Sequence, residues 1–116
     1  MAIAYMTSVH IQNYEGKNIN IDAWEYEDTL SSAIDGSSVI VPENIKNLSV
    51  TLQISAGSGK VQTTTSKLED VLNNNAVWVD WDNGVVTSTT QDSCVPITAI
   101  RQVNVSGTTK LLVRAQ

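Results

Sequence analysis

Between Leu48 and Ser55 apolar and polar residues alternate without a break. Leu48, Val50, Leu52 and Ile54 fall on one side, and Ser49, Thr51, Gln53 and Ser55 on the other. A period of two over eight residues marks a strand with one face on a core and the other in water. The rest of the chain has the same character. Ser, Thr, Asn, Val and Ile dominate and Phe is absent, a mixture that favours pleated, half-buried surfaces over long helices.

Further elements follow from turn chemistry. Ala56-Gly57-Ser58-Gly59 predicts a flexible turn and Lys60 to Thr65 a second strand, so that 48–65 reads as a hairpin. Ser66-Lys67-Leu68-Glu69 has the spacing of a capping box, and Leu68, Val71 and Leu72 follow at helical intervals. Asn73-Asn74-Asn75 supplies residues that tolerate a left-handed helix end. One short helix near 67–73 is therefore expected. Ala76 to Trp81 reads as a strand, Asp82-Asn83-Gly84 as a tight turn, Val85 to Thr90 as a strand and Gln91-Asp92-Ser93 as a connection. Val95 to Val105 puts Val95, Ile97, Ala99, Val103 and Val105 in one phase, with Arg101 in that row; a bulge near Ala99 and Ile100 would reconcile Ile100 with it. Ser106-Gly107 turns the chain into a final strand, 108–115, with Leu111 and Val113 inward.

The first 46 residues are less regular. Ile3, Tyr5, Val9 and Ile11 share a phase, as do Ile19, Ile21 and Ala23, and Val39-Ile40-Val41 before Pro42 reads as a short edge strand. No internal repeat of fixed period occurs. The fold class expected is all-β: an antiparallel β-sandwich of about seven or eight short strands with one short helix. Residues 1–46 are expected to form acidic N-terminal strands or an arm, involved in attachment or oligomer contacts. Residues 47–116 are expected to form the sandwich core of what is a single domain overall.

At 116 residues the chain has material for one core, and folding should hide roughly 65–70% of the extended chain's surface, enough without metal or disulfide staples. The formal net charge is −5, and all of that excess lies in residues 1–58, where two Lys face seven acids. It is densest around Asp22, Glu25, Glu27 and Asp28. Such a balance argues against direct nucleic-acid binding, which needs clustered cations, and against anionic membranes. No apolar run approaches the ~20 residues of a span. No basic-then-apolar leader is seen, so synthesis in a reducing cytoplasm is expected and the Asn47 and Asn104 sequons carry little meaning. The acidic strip reads either as a solvated surface or as a docking strip for a basic partner.

Few residues can carry chemistry. His10 and Cys94 are single, so no internal disulfide forms, no metal cage is evident, and no nucleophile motif surrounds any Ser. His10 reads as a strand residue, and Cys94 as a small buried hydrophobe rather than a reactive thiol. Gly57-Ser58-Gly59-Lys60 resembles a phosphate loop but has Ile54 where the first Gly belongs and Val61 where Ser or Thr would hold magnesium. Asp80, Asp82 and Asn83 resemble part of a calcium loop with the wrong spacing and no closing Glu. The sequence therefore predicts no enzyme and no cofactor. Trp78 and Trp81 fall on opposite faces of their strand. One can anchor the core, and the other can face outward as a protein contact or a sugar platform.

From about Ile45 to Gln116 the chain resembles short β-rich structural proteins of tailed bacteriophages. The resemblance rests on Leu48-Ser49-Val50-Thr51-Leu52, Gly59-Lys60-Val61-Gln62, the Trp78 and Trp81 strand, Gly84-Val85-Val86-Thr87, Pro96-Ile97-Thr98-Ala99-Ile100-Arg101, and the ending Ser106-Gly107-Thr108 through Leu111, Leu112 and Val113. It implies a virion component: a capsid decoration (cement) protein that binds and stabilises the shell, or a tail or head-to-tail adaptor component. A carbohydrate-binding β-sandwich module is the rival from another class. Expected partners are the major capsid protein or other virion subunits, together with further copies of the chain. The residues expected to make contact are Trp24, Glu25, Tyr26, Glu27, Asp28 and Trp81, with Arg101 as an ion-pair partner within the sheet. An N-terminal segment could also add a strand to a neighbour's sheet.

Overall fold

In the computed structural model the described residues are 2–95 and 97–116, with side chains described for all of these except 11–14 and 18–21. Pro96 and the side chains of Ile11, Ile19 and Ile21, which carried parts of the expected pattern, lie outside them. Among the described residues there are eight strands and one short helix: β1 Ile3–Tyr5, β2 Thr7–Tyr14, β3 Lys17–Leu30, β4 Ser38–Ile40, β5 Leu48–Thr64, α1 Leu68–Leu72, β6 Val79–Asp80, β7 Thr90–Cys94 and β8 Ala99–Ala115.

The spine of the molecule is the antiparallel pair β5 and β8, each 17 residues long and hydrogen-bonded along nearly its whole length. Each expected hairpin is instead one continuous bent strand. Gly57 and Gly107 are opposite each other in the ladder, and register shifts lie between Ile54 and Ala56 and between Ser58 and Gly59. Extra residues at such shifts raise the local twist and bend the strands without reversing them. The two halves of β5 therefore do not pair with each other; both pair with β8.

The bent spine collects the other strands half by half. The 109–115 half of β8 pairs with Trp24–Leu30 of β3, and β2 pairs with β3 beyond it. The 99–100 end of β8 pairs with β4, which in turn pairs with β1 in parallel. On the other side of β5, β7 lies against Leu48–Leu52 and β6 against Gln62–Thr63. The result is a mixed, barrel-like sheet that nearly closes. The mostly-β expectation with one short helix holds. The pairing joins every strand in one network with one parallel pair, so an antiparallel sandwich does not emerge from it. β4 is interior rather than an edge, because β1 covers its second side. Strands from the first 46 residues share this sheet with β8.

Leu48, Val50, Leu52, Val61, Val39, Ile100, Leu111 and Val113 form the core with Trp81. The alternation read at Leu48–Ile54 and at Leu111 and Val113 sets those inward rows. Ala99 is buried as expected, but from Ile100 to Val105 the phase is the reverse of the expected one. Gln102 and Asn104 are buried, while Val105 is 45% exposed and no register shift occurs from Ala99 to Asn104. The buried amides are tied down by hydrogen bonds. Gln102 Nε2 donates to the Asp28 carbonyl at 2.8 Å, and Thr109 Oγ1 donates to Gln102 Oε1 at 2.8 Å. Asn104 Nδ2 donates to the carbonyls of Gly107 (2.8 Å) and Leu30 (3.1 Å). Bonded at both ends, the Gln102 amide can occupy a core row that an unpaired one could not, whereas Asn104 is held through its Nδ2 alone, its Oδ1 being buried without a partner among the described residues.

Local signals fare unevenly. α1 has Lys67 at its N-cap with no side-chain cap bond; the Ser66 hydroxyl accepts from the Val77 N–H at 3.0 Å instead, so the capping box is not formed. Its C-terminus closes through Asn75 N–H to Asp70 O and Asn74 N–H to Val71 O, with Asn74 at φ +60°, the paired bonds of a Schellman end. The 76–81 strand shrinks to β6, 85–90 to a bridge between Gly59 and Val86, and the expected connection at 91–93 is β7.

Candidate functional site

The acidic segment of β3 runs along the 109–115 half of β8. Alternation sends Glu25 and Glu27 outward and leaves Trp24, Tyr26 and Asp28 half-buried. Trp24 and Tyr26 pack against the core. Burial pushes the Tyr26 hydroxyl's pKa up, the Asp28 charge adds to this, and a hydrogen bond with Ser37 opposes it. Asp28 is engaged internally, its backbone carbonyl holding Gln102.

The outward acids are not free. Arg114 stands opposite Glu25 in the ladder, with Nη1 at 2.9 Å from Glu25 Oε1. Lys110 Nζ reaches Glu27 Oε2 at 3.4 Å. The strip expected to attract a basic partner is thus partly neutralised by its own neighbouring strand. These pairs are solvent-exposed, so they orient side chains more than they stabilise the fold. Across this face an open groove of about 700 Å³ is lined by Tyr5, Glu25, Glu27, Thr51, Leu112 and Arg114, among others. Tyr5 is 66% exposed and supplies an aromatic surface at its rim.

Of the six residues expected to make contact, Glu25 and Glu27 lie on this face and Tyr26 borders the groove. Trp24 and Asp28 do not line it, and Trp81 is corrected to a core residue, 6% exposed. Its indole N–H donates to the Gly84 carbonyl at 2.6 Å. Tyr5, Lys110, Leu112 and Arg114 were missed. The signal was present for Lys110, Leu112 and Arg114, which alternate with the inward Leu111 and Val113, but the outer row of a strand gains meaning only once its neighbour is known.

A second polar cluster crosses β6, β5 and β8. Lys60 Nζ and Gln62 Nε2 donate to the Asp80 carboxylate at 3.1 and 2.9 Å, and Arg101 Nε donates to Gln62 Oε1 at 2.8 Å. The Arg101 guanidinium lies 4.3 Å from the centre of the Trp78 ring and 3.8 Å from Asp35. Arg101 makes the ion pair the sequence pointed to, with Asp35 beside the sheet, and its guanidinium lies over one face of Trp78, while Trp81 is buried. His10 sits across from Asp22 with Nδ1 3.9 Å from its carboxylate, both exposed. Burial, aided by the charges of Asp92 and Asp82, pushes the Cys94 thiol's pKa up, the opposite of nucleophile activation. Among the described residues no three His, Cys, Asp or Glu side chains gather in a way that could hold a metal ion.

No protein-family model matches the chain, and no curated protein matches it. Among solved structures, one reported under the mechanism of oxalate oxidase is 13% identical with a TM-score of 0.46, covering 95% of this chain and 49% of that one. Recombinant oxalate oxidase in complex with glycolate is 14% identical with a TM-score of 0.44 and the same coverage. The chain thus spans about half the length of each. Both are structures of an enzyme, so the expectation of a chain without enzymatic activity is not upheld. At such identity and TM-score the likeness transfers no activity, substrate or metal to it.

Proposed function

We propose that the chain is a virion structural protein of a tailed bacteriophage: a capsid decoration (cement) protein that binds capsid subunits and stabilises the shell. The groove across β3, β8 and β5 supports this reading best. Tyr5 and Leu112 offer apolar contact area beside exposed charges held in place by the Glu25–Arg114 and Glu27–Lys110 pairs. Aromatic and aliphatic anchors with a polar rim are the parts of a protein–protein interface, and a ligand of the assembled shell stabilises it by mass action. The finer architecture we infer is a sandwich, antiparallel except at β1 and β4. Its support is that core side chains from both halves of the bent spine meet in one cluster.

The test is co-sedimentation with capsids. Tyr5→Ala combined with Leu112→Ala should weaken binding at least about tenfold while leaving circular dichroism unchanged. Unaltered binding of a folded double variant would overturn the reading. Copy number separates locations: hundreds per particle fit the shell, and a few or tens would place the chain in the tail or adaptor.

A further inference from the structure

The free strand edges of this molecule are unequally guarded. Unpaired N–H and C=O groups along an edge are a template for another chain, and proteins blunt them with short strands or charges. β1 has three residues. β6 has two, one of them the charged Asp80. β7 is five residues long, carries Asp92 at its centre, and has the Ser93 N–H taken by the Asp92 carboxylate at 2.8 Å. β2 is different. It runs eight residues, Thr7–Tyr14, without Lys, Arg, Asp, Glu or Pro, and among the described residues pairs only with β3.

The ribbon that β2 makes with β3 also projects. The pairing of β3 with β8 ends at Trp24 and Ala115, so Lys17–Ala23 has β2 as its sole ladder neighbour among the described residues. A two-stranded ribbon beyond the body of a sheet is marginal by itself in water. The radius of gyration, 14.7 Å, exceeds the roughly 13 Å of a compact chain this long, as a projecting ribbon requires. The register sets Val9 across from Ala23, an apolar cross-strand pair at the base of the ribbon.

We infer that β2 is a self-association edge, occupied by β2 of a second copy running antiparallel about a two-fold axis. A second copy fits for two reasons. An antiparallel edge is self-complementary, so one strand supplies both sides of an isologous contact. The chain carries a net charge of −5, yet this segment adds no fixed charge to oppose a like partner. The product is a four-stranded ribbon, β3-β2-β2-β3, shared by two molecules. It requires nothing of a capsid and stands independently of the function proposed above.

The experiment is sedimentation equilibrium of the full chain over a concentration series, with hydrogen exchange on the same samples. A concentration-dependent dimer is expected, and amide protection within residues 7–14 should rise with the dimer fraction. Ser8 and His10 are exposed, so the S8K/H10K double variant should keep its circular dichroism and lower the association constant by roughly tenfold or more, through like charges facing each other. A monomer at every concentration, a dimer whose protection maps elsewhere, or a folded S8K/H10K variant that dimerises as the parent does would each overturn the inference. If the variant does not fold, the exchange map of the parent chain decides.

Discussion

Gly57 and Gly107 meet backbone to backbone across the β5/β8 ladder. Both have positive φ, +82° and +74°. A Cβ on Gly57 would lie 2.1 Å from the Ser106 carbonyl oxygen, and one on Gly107 2.1 Å from that of Ala56. Neither obstacle is the end of a flexible side chain that could swing away. The bend that brings one half of the spine over the other therefore depends on two residues without side chains, placed 50 positions apart in the sequence.

Gly57→Ala and Gly107→Ala should each lower the unfolding free energy by about 3 kcal/mol, from backbone strain plus overlap. Gly16 and Gly84 also have positive φ but nothing within 4 Å of an added Cβ, so Ala there should cost only about 1 kcal/mol. Urea denaturation of the four variants checks this. Equal losses at all four positions would mean that the close approach at the bend contributes nothing.

Gln102→Leu should destabilise by about 2–3 kcal/mol, because it leaves the Asp28 carbonyl and the Thr109 hydroxyl without their buried partner. Gln102→Glu adds a pH signature. Its carboxyl would be desolvated, with a folded pKa above the unfolded one, so its deficit against the parent should grow as pH rises past the ordinary carboxyl range and shrink below it. Paired melting curves at acidic and neutral pH measure the deficit. A deficit that does not change with pH would contradict this environment for residue 102.

Hydrogen bonds from Gln62 and Lys60 hold the Asp80 carboxyl below its ordinary pKa of 3.8. A depressed folded pKa contributes stability above the unfolded value and loses it as pH falls through the folded one. Asp80→Asn should therefore melt at a modestly lower temperature than the parent at neutral pH, and the gap should close in strong acid. The effect is small because the pair is solvent-exposed. A gap that persists in acid would assign the loss to something other than charge.

Cys94, its pKa raised from the ordinary 9.0 by burial and by Asp92 and Asp82, should alkylate more slowly in the folded protein than in denaturant at the same pH. Asp92→Asn should speed the native reaction. Iodoacetamide kinetics followed by mass spectrometry test both. Equal native and denatured rates would remove the case for a shielded thiol.

Much of the fold was legible because period-two patterning is a local property. Leu48, Val50 and Leu52 declare their inward face without reference to any partner, and Asn74 takes the left-handed position its side chain tolerates. The reading failed where two segments had to be considered together. Glycine-rich stretches at 56–59 and 106–107 look like two independent turns. That they are one bend follows only from their pairing. Val103 and Val105 looked inward by hydropathy, yet Gln102 and Asn104 took the core row, because β3 and Thr109 supply hydrogen-bond partners distant in sequence. At the candidate site Glu25 and Glu27 were visible as acids, but Lys110 and Arg114, which neutralise them, lie more than 80 residues away.

By itself the sequence determined that this chain is built of strands, which rows of β5 and of the last half of β8 face inward, and where its short helix ends. These depend on side-chain periodicity and backbone preference, which act over a few neighbouring residues. The tertiary structure alone decided that the spine bends rather than turns back, that Trp81 is core while Arg101 covers Trp78, and that the acidic strip carries its own counter-charges. Each of those rests on contact between groups far apart along the chain, and such contacts exist only once the strands have been laid side by side.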